Sequence, residues 1–192
     1  MNVAELLRKN RSYRRFHEDR RIDRSTLVDL VALTRLCASS SNRQPLKYVL
    51  ACSPKETAKV FPHLGWAGAI SDWPGPAEGE RPAAYIVILG DNRITKDLNV
   101  DPGIAAQSML LAAAERGLGG CILGWIRRDK LRQALKIPDY FTIVLTIALG
   151  EPNETIVLED LQGDSIDYWR DDDDVHHVPK RTLEELLVEP SA

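Results

Sequence analysis

The sequence predicts a single domain that mixes helices with buried strands, and three observations carry that prediction. The chain has 192 residues, within the range of one domain with one sizeable core. It is 44% hydrophobic and 28% charged, an ordinary balance for a folded globular protein. Apolar residues recur at helical spacing in some stretches and form short continuous runs rich in β-formers in others.

The elements follow in order. MNVAELLRKN reads as the first turns of an amphipathic helix and lacks the long apolar core of a signal peptide. NRSYRRF (10–16) then places three arginines and a serine in seven residues. This is either a solvated basic patch or a site for an anion such as a phosphate, because Arg offers forked donors and Ser a hydroxyl. IDRSTLVDLVALTRL (22–36) has a helix start, with Asp23 as cap and Ile22 and Leu27 placed as a hydrophobic staple. The polar segment CASSSNRQP (37–45) follows, and then a strand, KYVLACS (47–53).

Residues 54–83 begin with a short helix near 56–60 and continue as HLGWAGAISDWPGPAEGERP, too aromatic for a disordered linker and too rich in breakers for a long helix. A long ordered loop or lid is expected there. AAYIVILG (83–90) reads as a buried strand. NVDPGIAAQSMLLAAAERGLGG (99–120) carries both ends of a helix, with Asp101 as N-cap, Pro102 at the first helical position and Gly117 just past the end. Its Ala-rich interior predicts burial on most sides and close approach to another helix. CILGW (121–125) is a short strand, RRDKLRQALKI (127–137) an amphipathic helix and TIVLTIALG (142–150) a long apolar strand. From Glu151 onward the chain is polar, with DDDD at 171–174 and a short helical pattern from Thr182. It is too poor in apolar residues to form a core of its own, so docking on something else, such as a partner subunit, is expected.

Composition excludes several function classes. A formal net charge of -3 gives no overall drive toward nucleic acid or an anionic membrane, and no apolar run is long enough to span a bilayer. Cys37, Cys52 and Cys121 are widely separated, so buried thiols in a reducing, cytoplasmic setting are expected. There is no Walker loop, GxGxxG, GxSxG or HExxH, and GLGG (117–120) follows a helix, so it reads as a helix stop. Adjacent His176 and His177 would point to opposite faces of a strand, so no metal site is expected.

What remains is three polar clusters: RSYR (11–14), SSSNRQP (39–45) and PKR (179–181). Basic groups suit a phosphate, and Asn and Gln suit the edge of a heterocycle. The order and spacing of these pieces resemble the nitroreductase family of FMN-dependent oxidoreductases over essentially the whole chain. RSYRRF resembles the family's opening R-S-x-R-x-F element, and ASSSNRQPLKY (38–48) is similar to its P-S-x-x-N-x-Q-P-W-x-F segment. DPGIAAQSMLLAAAERGLGGCILGW (101–125) resembles the central dimer helix with the strand lining the flavin, and IALGEP (147–152) the last core strand.

The resemblance implies an α+β fold with a mostly antiparallel central sheet flanked by helices, in an intertwined homodimer with FMN at the interface and residues 151–192 extending across the partner. It implies Arg11 and Ser12 on the FMN phosphate, Arg14 toward the ribityl chain or pyrimidine edge, and Lys180 and Arg181 completing the phosphate site. Ser39, Ser40, Asn42 and Gln44 would come from the other subunit, and Leu123 and Gly124 would line the ring near N5. The chemistry implied is ping-pong: NADH or NADPH gives hydride to the flavin, then leaves, and a small acceptor such as a nitroaromatic or quinone takes its place. No protein acid or base is required, because the cofactor carries the chemistry. A dehalogenase, a flavin-cleaving enzyme, or a non-enzymatic flavin-binding or redox-sensing module would share the fold.

The sequence departs from the family pattern at three places. Asn10 stands where many relatives carry a basic residue, Ala38 replaces a proline and Leu46 a tryptophan. Trp66 and Trp73, in the segment where relatives differ most, either stack on a substrate or pack.

Overall fold

All eight residues of the strand β2 (Ala84–Asp91) are buried, as the apolar run over its first seven requires of a central strand. In the computed structural model, which describes residues 1–70 and 73–190, β2 pairs on one side with β1 (Leu46–Ala51) and on the other with β4 (Phe141–Gly150). β3 (Gly119–Leu123) completes a four-stranded sheet in the order β1-β2-β4-β3, antiparallel throughout. The mixed helices and antiparallel sheet expected of the chain are therefore present.

Strand alternation sets the two faces. Ile86 and Ile88 of β2, with Ile147 and Leu149 of β4, form the main core with Leu27 and Leu30 of α2 (Arg24–Thr34) and Met109 and Ala113 of α4 (Asp101–Glu115). Tyr85 and Val87 point to the other face. α3 (Pro54–Val60) packs there against the sheet and against α5 (Arg128–Leu135). α1 (Val3–Lys9) opens with a capping box, Asn2 and Glu5 each accepting from the other's backbone N–H, and packs along α4.

The helix signals read from sequence need adjustment at α4. Its N-cap is Val100, and Asp101 lies inside the first turn with its carboxylate turned away to distant partners. Asp23 does precede α2, but its side chain makes no cap hydrogen bond. Gly117 does end α4: with φ +80 it lets Leu118 N–H reach back to the Ala113 carbonyl at 2.9 Å. Gly119 and Gly120, read as part of the same stop, belong instead to β3. α4 is buried on one side, while Gly103 is exposed and Ile104, Gln107, Ser108 and Leu111 are half-buried. Burial on most sides is thus not met within one chain. Cys121 is buried and Cys37 and Cys52 half-buried, all as free thiols.

The chain divides into two compact units, residues 1–66 with 74–153, and residues 67–73 with 154–192. The second holds a three-stranded sheet in the order β5-β7-β6, with β5 (Ile156–Asp160) parallel to β7 (His176–Lys180) and β6 (Trp169–Arg170) antiparallel to it. A short helix, α6 (Leu183–Leu186), follows under a Thr182–Glu185 capping box. This unit is held by polar and aromatic contacts rather than by an apolar core. Arg170 pairs with Glu154 at 2.9 Å, both nearly buried, and lies 4.8 Å over the Trp73 ring. His176 is fully buried and stacks on Tyr168. The adjacent His177 sits between Glu159 (Nδ1, 2.5 Å) and Asp171 (Nε2, 2.9 Å) and stacks on Trp169.

The described residues of the expected loop at 61–83 are divided between two places. Phe61–His63 form a 3-10 turn, Trp66 is buried, 67–73 join the second unit, and Gly79 and Arg81 return to donate backbone N–H groups to Glu18. Ser71 and Asp72, part of the expected lid, lie outside the described residues.

Two expectations for solution behaviour follow. A Cβ at Gly150 would sit 2.6 Å from the ring of Phe16, which is fully buried. Gly150→Ala should therefore cost about 1–3 kcal/mol in urea unfolding through overpacking. His177 is held above its usual pKa by Asp171 and then Glu159, while Asp171 is held below its usual range, chiefly by His177. The imidazolium's contribution is complete below about pH 6.5 and is lost as pH rises through the raised value. That of Asp171 is present above about pH 4 and lost as pH falls. Protection of the β7 amides, as hydrogen exchange relative to the intrinsic rate at each pH, should be greatest between those limits, and His177→Gln should abolish the loss on the alkaline side.

Candidate functional site

The residues singled out by sequence fall into three places. The first is the stretch after α1. Arg11 donates through Nη2 to the Leu7 carbonyl in the last turn of α1, where helix carbonyls lack intrahelical partners. Asn10, standing where a further basic residue would have been expected, is the C-cap of α1, its N–H bonded to Leu6 O at 2.8 Å. The chain then crosses the start of β3. Ser12 forms a bridge with Gly120, Tyr13 N–H donates to Gly120 O at 3.1 Å, and Phe16 bridges Pro152. Arg14 donates to the Ser12 carbonyl at 3.2 Å. Arg15 pairs with Glu80 at 3.5 Å, and Phe16 enters the core.

Arg11 is the chemically telling member of this group. Its Nε is buried and has no acceptor among the described residues, and burial pulls its pKa below the ordinary guanidinium value. The side chain is oriented by α1 with donor capacity to spare, while the Ser12 residue is exposed beside it. From Gly120, β3 leads to Leu123, which is buried, and to Gly124, which is exposed. The turn after β3 is pinned by Arg128, a residue sequence reasoning passed over, which donates to Ile143 O at 2.9 Å and Gly124 O at 3.3 Å.

The second place is the loop 39–44. Ser39 Oγ donates to Asp101 Oδ2 at 2.5 Å, and Ser40 N–H donates to Asp101 Oδ1 at 2.8 Å. Ser39 Oγ in turn accepts from Gln44 N–H at 2.9 Å. Asp101 is 4% exposed, so this anchor works in a site of low dielectric. Ser41, Asn42 and Gln44 all have φ between 51 and 53, the left-handed region that L residues other than Asn and Asp rarely adopt. Such conformations persist because Asp101 and Ser39 over-determine the loop. It leaves Asn42 and Gln44 exposed, their amides bonded to each other at 3.0 Å. A cavity of about 460 Å³ opens beside the loop, between α2, β1 and the start of α4, with Thr34, Cys37, Tyr48 and Asp101 among its lining.

The third place is the second unit. Lys180 is exposed at the end of β7, and Arg181 Nη1 donates to Glu185 Oε1 at 3.0 Å. Of the two tryptophans, Trp66 is 6% exposed and packs against Gly75 and Phe61, whereas Trp73 is half-buried under Arg170.

Within one chain the first two groups are not brought together. Ser39 and Ser40 bind the first residue of α4, and Ser12 pairs with a residue shortly past its last. Fifteen helical residues span about 22 Å. The two groups also lie toward opposite edges of the sheet, since β1 and β3 are its outer strands.

Comparison with known proteins agrees with this architecture. The model of the nitroreductase family matches residues 7–151. An FMN reductase (NADPH) from Bacillus subtilis is 40% identical over 55 residues, 28% of this chain, and the match spans only 22% of that relative's length. Among solved structures, a nitroreductase family protein from Streptococcus pneumoniae TIGR4 superposes with a TM-score of 0.69 at 16% identity, covering 98% of this chain and 100% of that one. An FMN-dependent nitroreductase from Clostridium difficile R20291 superposes with a TM-score of 0.64 at 22% identity, covering 79% of this chain and 88% of that one. The structural likenesses show the fold, and the family model, running from the end of α1 through β4, shows that this chain belongs to the nitroreductase family.

Proposed function

We propose that the chain is an FMN-dependent oxidoreductase that takes hydride from NADH or NADPH and passes electrons, in alternate turns, to a small acceptor such as a nitroaromatic or a quinone. The observation that carries the reading is the pair of preorganised, mutually distant polar groups at the two ends of α4. Arg11, with a buried Nε lacking an acceptor, fits a phosphate oxygen, as do the Ser12 hydroxyl and the charges of Arg14, Lys180 and Arg181. Ser39, Ser40, Asn42 and Gln44 fit the ring and ribityl oxygens. Because α4 holds these groups about 22 Å apart, they would meet on one flavin only if the second set came from another copy of the chain. A homodimer with two shared sites is therefore part of the proposal, and the half-buried face of α4, with Ile104, Gln107, Ser108, Leu111 and Ala112, suits packing against another helix.

When bound, FMN supplies the hydride and electron chemistry. The protein's part is to bind, orient and stabilise charge. Leu123 would offer an apolar wall and Gly124 a backbone surface without a side chain, so a planar ring can approach β3 closely. Arg14 would place positive charge where the reduced ring becomes anionic. No side chain needs to donate or remove a proton in this scheme.

Anaerobic mixing with NADH or NADPH tests the function. A yellow, FMN-loaded protein should bleach, and a menadione or nitrofurazone addition should restore the colour. A protein that binds no FMN, or binds it without bleaching, would contradict the proposal. For the site, Arg11→Ala combined with Arg181→Ala should raise the FMN Kd about 30-fold or more, about 2 kcal/mol. An unchanged Kd by equilibrium dialysis would place the phosphate elsewhere.

A further inference from the structure

A second cavity, of about 160 Å³, lies on the sheet face to which Tyr85 points, and is lined by Glu18, Arg21, Phe61, Pro62, Arg81 and Tyr85 among others. None of these residues belongs to the groups assigned to the flavin. Two of them carry donors with nothing to donate to. The Tyr85 residue is fully buried, and its hydroxyl has no hydrogen-bond partner among the described residues. The Nε of Arg81 is also buried without an acceptor, and its guanidinium lies 4.7 Å over the Phe61 ring. A buried hydroxyl or guanidinium N–H left unsatisfied is costly, so such groups in one small cavity point to a ligand that accepts from them.

The surroundings narrow the chemistry. Glu18 is the only carboxylate among the lining residues, and its Oε2 already accepts from the backbone N–H groups of Gly79 at 2.6 Å and Arg81 at 3.4 Å. Against that one engaged negative charge stand two guanidinium groups, Arg21 and Arg81. Burial, followed by the nearby Glu18 charge, raises the Tyr85 phenol above its usual pKa, which keeps it a donor. The polar part of the cavity is therefore donor-rich and cationic, while Phe61 and Pro62 give it apolar walls. Phosphate has no use for such walls, and the volume holds about five or six non-hydrogen atoms, too few for a nicotinamide or a flavin ring. A carboxylate head matches the Arg and phenol donors, and a short hydrocarbon tail matches the rings.

We propose that this cavity is a binding site for a small aliphatic monocarboxylate, with Arg81 and Tyr85 on the carboxylate and Phe61 and Pro62 against the tail. The proposal does not depend on the flavin reading. Its ligand would meet the protein on the opposite side of the sheet from the α2–α4 core.

Sodium butyrate is the probe, titrated calorimetrically into the full chain at pH 7 against matched sodium chloride and sodium phosphate, and soaked into crystals. Saturable butyrate binding is expected, with density for its carboxylate beside Arg81 and Tyr85 and no competition from equal phosphate. Tyr85→Phe keeps the shape of the ring and should weaken butyrate at least about five-fold, as should Arg81→Met. Neither change should alter the FMN Kd, which separates failure of this site from failure of the flavin site. Tyr85→Phe should also leave the ligand-free protein at least as thermally stable as the wild type, because it removes an unsatisfied hydroxyl. No saturable heat, ordered water alone in the cavity, or equal affinity in both variants would overturn the proposal.

Discussion

A 15-residue helix that is hydrogen-bonded at its first residue to one polar loop, and runs from its last into the strand that meets another, sets the spacing on which the site depends. α4 is stiff because its inner face is packed into the core through Ala105, Met109 and Ala113, and its end is closed by the left-handed Gly117. The buried carboxylate of Asp101 transmits that stiffness to the loop 39–44. Removing it would leave Ser39 and Ser40 without the acceptor that holds the left-handed conformations of Ser41, Asn42 and Gln44 nearby. The geometry thus uses one rigid element to hold two preorganised polar groups apart, neither able to reach the other.

Much of the fold was legible because its signals are local. Ala84–Gly90 is a continuous apolar run and Phe141–Gly150 a mostly apolar one, and Pro102 and Gly117 mark the ends of α4 within a residue of where they fall. The role of Asp101 was not legible. Its position before a proline argues for an N-cap, but its carboxylate bonds to Ser39, 62 residues away, and no local pattern encodes a contact at that separation. Arg128 was missed for a similar reason, since it works by donating to carbonyls at the end of one strand and the middle of another. The polar clusters were found by composition, yet the placement of the first two at opposite ends of α4 came only from the fold.

The second unit shows where hydropathy misleads. Its strands are held by an imidazole between two carboxylates, a nearly buried Arg170–Glu154 pair and stacked rings, none of which scores as apolar. Sequence reading therefore saw a tail that must dock elsewhere. α6 still leaves Leu183, Leu186 and the following Leu187 and Val188 exposed, a short apolar strip. Ionic cores of this kind are sensitive to pH and to loss of one partner, because each buried charge depends on its mate.

Whether two copies share each site can be measured by mixing two defective proteins. One carries Arg11→Ala and Arg14→Ala, the other Asn42→Ala and Gln44→Ala, so each homodimer has a lesion at both sites. Unfolded together and refolded at equal concentration, they form heterodimers in which one site is intact and the other carries both lesions. Recovery of tight FMN binding at about one site in four is the result expected of a shared site. No recovery, with heterodimers demonstrably formed, would show that each chain builds its site alone and would contradict the role given to α4.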